Sequence, residues 1–91
     1  MTRAARIRAI IESTFEPVVV DVMDESHRHI GHAGARPEGE THYHLRVVSP
    51  VFAGMSRVAR SRAVHEALAA EFRTGLHALS LTLQTPEDAA R

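Results

Sequence analysis

Three short runs of alternating apolar and polar residues, with helical periods before, between and after the second of them, limit this chain to few folds. The runs are VVVDVMD at 18–24, THYHLRVVS at 41–49 and LHALSLTLQ at 76–84. In the first, Val18, Val20 and Val22 share one face, and Val19, Asp21 and Met23 the other. In the second, Tyr43, Leu45 and Val47 oppose His42, His44 and Arg46, because side chains alternate along a strand. The third presents Leu79, Leu81 and Leu83 on one side. Each run is therefore a strand with one apolar face, and that face needs a cover.

Helices supply it. Ile7, Ile10, Ile11 and Phe15 fall on one face of a helix over 2–15, with Thr2 able to cap its start and Pro17 to end it. Ser56 is a credible cap for a second helix of about 18 residues that closes at Gly75, a glycine placed to adopt a left-handed C′ conformation. Val64, Leu68 and Phe72 form its apolar stripe. Pro50 and Gly54 bracket a short helical turn carrying Val51 and Phe52. Residues 25–39, with three glycines and a proline, have no period and predict a loop.

The predicted order is thus αββααβ. The first two strands suit a long-looped hairpin. The third arrives after a helical crossover, which suits parallel pairing with its neighbour. The expected fold is α+β, a two-layer single domain over 1–91. It has a three-stranded mixed sheet with helices on one face, and residues 86–91 form a polar tail.

No cysteine is present in the 91 residues, so no disulfide or thiolate metal site is available to this core. A chain of this length buries roughly 60–65% of its unfolded surface and can fold without such staples. No apolar run reaches the ~18 residues of a membrane span, and no charged-then-apolar leader opens the chain; the expected location is cytoplasmic. The 11 basic residues, all arginine, balance 11 acidic ones, which argues against a broad nucleic-acid footprint.

Seven histidines stand out against that background, five of them between residues 27 and 44. Imidazole both titrates near neutrality and binds metals. His42 and His44, two apart on one strand, could bind zinc or form a polar face beside Arg46. His65 lies near Leu68 and Phe72 on the helical wheel and suits a core edge. His27 suits a solvated loop. His77 shares the parity of Leu79, Leu81 and Leu83 and leans toward the apolar face at its end, as a packed boundary residue or a ligand. His32, between Gly31 and Ala33-Gly34, has room for a bulky group to approach the backbone.

The segments DESHRH, GHAG, GETHYHLRVVSPVFAG, RSRAVHEAL and LHALSLTLQTPE together resemble the BolA family, in order and over nearly the whole chain. The resemblance implies a fold similar to the type II KH arrangement and a binding module rather than an enzyme. Its implied partners are a monothiol glutaredoxin and glutathione, with which it would share a [2Fe–2S] cluster in iron–sulfur trafficking and iron or stress regulation. No cluster would be tightly bound by the chain alone, expected to be a monomer or weak homodimer. His77, in its His-Ala-Leu setting, is the implied ligand, and a loop histidine completes the pair: His32, with His29 as the alternative. The sequence departs from many relatives in having Arg60-Ser61-Arg62 where Arg-His-Arg is common, and Tyr43 where Phe is frequent.

The competing reading is a DNA-binding transcriptional regulator of the BolA type, resting on Arg57, Arg60 and Arg62. On the wheel, however, Arg60 flanks one side of the apolar stripe and Arg62 and Arg73 the other, which is charge bracketing a buried face. A Gly-x-x-Gly clamp for RNA is absent. Catalysis has little support, since no nucleophilic cysteine, Gly-x-Ser-x-Gly or phosphate-binding glycine loop is present.

Overall fold

Helix α1 spans Arg3–Phe15 and begins as the sequence predicts: the extended Thr2 accepts the Ala5 N–H through its hydroxyl at 3.1 Å. Its far end closes on Glu16, which donates its N–H to the Glu12 carbonyl and turns the chain away at a left-handed φ of 45°, and Pro17 prevents continuation. Ile7, Ile11 and Phe15, four apart, are buried on one stripe. Each such burial contributes about 2 kcal/mol relative to exposure. A computed structural model describes residues 1–25 and 42–91.

Strands β1 (Val19–Asp24), β2 (His42–Val48) and β3 (Ala78–Gln84) form one sheet in the order β1-β2-β3. The first pair is antiparallel and the second parallel. In register, Val20 faces Val47 and Val22 faces Leu45; Leu45 and Val47 in turn face Leu81 and Leu83. Tyr43, Leu45 and Val47 are buried beneath the helices, whereas His42, His44 and Arg46 are half-buried on the outer side. Val18 departs from the expectation: the strand begins one residue later, and Val18 is 66% exposed although its N–H reaches the Val48 carbonyl.

A 3-10 turn at Pro50–Phe52 carries Phe52 into the core against Phe15, ring centroids 5.3 Å apart. Ser49, just before it, is fully buried. Its hydroxyl donates to the Phe15 carbonyl and accepts the Val51 N–H, while its own N–H donates to Gln84. The Ser49 hydroxyl thus satisfies an orphan helix carbonyl, and side chain and backbone together join α1, β2 and β3.

The long second helix is divided. Ser56 caps α2 (Arg57–Ala67) through its hydroxyl, but Leu68 leaves helical geometry at φ −99°, ψ 13° before the short α3 (Ala69–Arg73). Val64 and Leu68 are fully buried as expected, yet Phe72 is only half-buried and Glu71 takes the inward place. The break at Leu68 accompanies that exchange. Gly75 does adopt a positive φ of 129°, and the Leu76 N–H returns to the Glu71 carbonyl in the bond that closes such helix ends.

Glu71 is tolerated inside because two arginines of α1 hold it. Arg3 Nη1 lies 2.7 Å from its Oε1, and Arg6 Nε lies 3.0 Å from Oε2. Arg3 also donates to the Glu71 carbonyl and to the Thr74 hydroxyl and carbonyl. Burial by itself would raise the Glu71 pKa, but hydrogen bonds and positive charge from Arg6 and Arg3 outweigh it and hold the carboxyl below its ordinary value.

The polar tail is ordered into α4 (Pro86–Ala89), started by a reciprocal capping box between Thr85 and Asp88. Among the described residues, no helix is long and apolar enough to cross a membrane.

Candidate functional site

Parallel pairing of β2 and β3 sets the N-terminal ends of both strands at one end of the sheet. His42 is the first residue of β2 and stands in register with Ala78, the first of β3. His77 immediately precedes Ala78, so two imidazoles meet there, ring centroids 5.6 Å apart and planes tilted by 45°. Glu25, after β1, donates its N–H to the His42 carbonyl at 2.8 Å, so the residues flanking segment 26–41 also meet at this end.

His77 differs from its expected place. Instead of leaning over the apolar face from within the strand, it lies one residue before β3, is exposed, and has its ring beside that of His42. Leu76, before it, is buried in the core and fixes the backbone on that side. His32 and His29, with His27, lie outside the described residues.

His42 and His44 share the outer face as expected, but their rings have different neighbours. His44 Nδ1 is 2.6 Å from Ser80 Oγ and Nε2 is 3.4 Å from Thr82 Oγ1, which ties it to β3. Beside it, Arg46 and Asp21 make a loose surface pair at 3.7 Å. His65 is exposed and stacks on Phe72 at 5.4 Å with planes 16° apart. Its Nδ1 lies 2.9 Å from the Ser61 carbonyl, an acceptor only, so Nδ1 carries the proton.

The three arginines of the DNA reading are not equivalent. Arg57 and Arg62 are exposed. Arg60 is spent on the fold: Nε donates to the Met55 carbonyl, Nη1 to the Leu83 carbonyl and to Asp88, and the guanidinium lies over Phe52. Backbone and side-chain hydrogen bonds from Thr85, with the one from Arg60, lower the Asp88 pKa from 3.8 to about 2. An open groove of about 540 Å³ runs between α2 and β3 past Arg57, Ser61, His65, Leu79 and Leu81.

Periodicity could not pair His42 with His77, since they are distant in sequence and opposite in strand parity. The usable signal was the register: a parallel crossover into β3 brings the residues before it beside the start of β2.

The family described as BolA-like protein matches residues 11–88. Among similar proteins, the chloroplastic protein BOLA1 of Arabidopsis thaliana is 43% identical over 94% of this chain and 55% of its own length. The SufE-like protein 1, chloroplastic/mitochondrial, of the same plant is 43% identical over 96% of this chain but only 24% of its own length. The chain therefore spans from about a quarter to about half of these two relatives. The solved BolA domain of SufE1 from Arabidopsis thaliana superposes with a TM-score of 0.86 at 42% identity, covering 96% of this chain and 95% of that one. Mixed three-stranded sheet, helical cover and sequence agree: this chain belongs to the BolA family.

Proposed function

We propose that the protein is a binding module that joins a monothiol glutaredoxin and glutathione to hold or transfer a shared [2Fe–2S] cluster. The observation that carries this reading is His77, an exposed imidazole fixed at a strand start between a buried leucine and the β2–β3 ladder. It stands in a BolA-family chain that has no thiolate of its own.

The chemistry follows from the ligand count. A [2Fe–2S] cluster takes four ligands, commonly thiolates, and histidine can replace two of them. This chain can give only nitrogen, from His77 and a loop histidine, His32 or His29. Sulfur must come from the glutaredoxin cysteine and glutathione. Neutral imidazoles in place of thiolates make the cluster less negative and raise its reduction potential. Protons compete with iron for imidazole, so acid releases the cluster. Such a holder suits cluster transfer or sensing within iron and stress regulation.

Reconstitution tests it. The protein alone should hold no stable cluster; mixed with a monothiol glutaredoxin, glutathione, iron and sulfide, it should give a visible chromophore with a spectrum unlike the glutaredoxin's own. His77→Ala should abolish or alter that spectrum. An unchanged spectrum would remove His77 from the cluster.

The DNA-binding reading has weaker support, because Arg60 is engaged in the fold and the formal charge is zero. Sequence-selective binding with a steep salt dependence would favour it.

A further inference from the structure

We propose that His42 and His77 form a two-imidazole site for a borderline-soft divalent cation of the Zn²⁺ class. The site exists in the protein alone. That such a cation competes with the cluster for His77 rests on the function proposed above; the site itself does not.

Distance is the first argument. Two imidazoles that bind one ion through nitrogens at ~2.1 Å in tetrahedral fashion hold their ring centres about 5 to 6 Å apart. The His42 and His77 centroids are 5.6 Å apart before any ion is considered. Rigidity is the second. His42 sits in the ladder between β1 and β3, its carbonyl held by the Glu25 N–H, and His77 joins buried Leu76 to the first residue of β3. Ligands on a strand or directly beside one keep their place better than ligands on loops.

Ligand type is the third. Imidazole suits Zn²⁺, Cu²⁺ and Ni²⁺, whereas Mg²⁺ and Ca²⁺ prefer oxygen. Among the described residues no group of three or more His, Cys, Asp or Glu side chains could hold a metal, so within them this pair supplies two ligands. His44, two residues along β2, is not a member, since hydroxyls of Ser80 and Thr82 face its two ring nitrogens.

The test titrates untagged full-length protein with ZnCl₂, and with MgCl₂ as a control, by calorimetry and by NMR of the histidine rings. Expected are Zn²⁺ binding with shifts at the His42 and His77 rings, no response to Mg²⁺, and at least a tenfold loss of affinity in both His42→Ala and His77→Ala. His44→Ala should bind as the parent does. Backbone NMR spectra verify that each variant is folded. A His42→Ala protein with parental Zn²⁺ affinity overturns the site, whatever the chromophore assay gives. A His42→Ala protein that loses Zn²⁺ but still assembles the glutaredoxin chromophore supports it and leaves the cluster reading intact.

Discussion

Replacing Glu71 with Gln isolates the charge at the centre of the α1–α3 clamp while keeping its shape. In the parent, Glu71 accepts from Arg3 at 2.7 Å and from Arg6 at 3.0 to 3.3 Å. Which half matters is set by solvent. The Arg3 and Glu71 side chains are 9% and 7% exposed, whereas Arg6 is 40% exposed. An exposed pair contributes about 0–1 kcal/mol, but removing one partner of a buried pair costs about 3–5 kcal/mol because the other charge remains inside. Arg3 would keep carbonyl and hydroxyl acceptors at Glu71 and Thr74, which moderates the loss.

We therefore expect Glu71→Gln to cost about 2–3 kcal/mol, at or below the low end of that buried-pair range. For a domain this size that lowers Tm by roughly 10–20 °C. Arg6→Ala should cost at most about 1 kcal/mol. The pH dependence gives an independent sign. The folded carboxyl titrates below its ordinary 4.5, so its stabilisation is fully present above that value and is lost as pH falls through the lowered folded pKa. The Tm gap between parent and Glu71→Gln should therefore narrow on acidification below pH 4.5. Circular dichroism melts from pH 7 downward measure both effects. A variant within about 0.5 kcal/mol of the parent at pH 7, or a gap that widens in acid, would refute the reasoning.

Two further outcomes are expected. Ser49→Ala deprives the Phe15 carbonyl and Val51 N–H of a buried partner and should cost about 1–3 kcal/mol in urea unfolding, with an unchanged m-value; a change within about 0.5 kcal/mol would contradict its role as a joint. Asp88→Asn should lower Tm at neutral pH, and its gap from the parent should close as pH falls from 3.8, where the unfolded carboxyl takes up its proton, through about 2, where the folded one does; a pH-independent gap would separate Asp88 from the Thr85 and Arg60 bonds.

Local signals made much of this fold readable. Alternation placed the buried row of β2, and Thr2, Ser56 and Gly75 marked helix ends because capping chemistry acts within four residues. The crossover length anticipated a parallel β3. What escaped depends on contacts across the chain. Leu68 favours helix, so nothing local announces the break there; it accompanies the inward turn of Glu71 toward arginines 65 and 68 positions away. Ser49 looked like a strand end and is a buried joint. At the site, His77 was identified through family resemblance and not by period. His42 was set beside His44 because they share a face, although the parallel register sets it beside His77. His32 and His29 lie outside the described residues.

The tie between Arg3 and Glu71 also bears on how the molecule opens. Terminal helical turns ordinarily fray, exchanging amide hydrogens with almost no protection. Here the first residue of α1 is 93% shielded and is latched to a carboxylate 68 positions later. To loosen that turn, the protein must strand a buried carboxylate or separate α1 from α3. The opening of the first turn of α1 is thereby joined to the separation of α1 from α3.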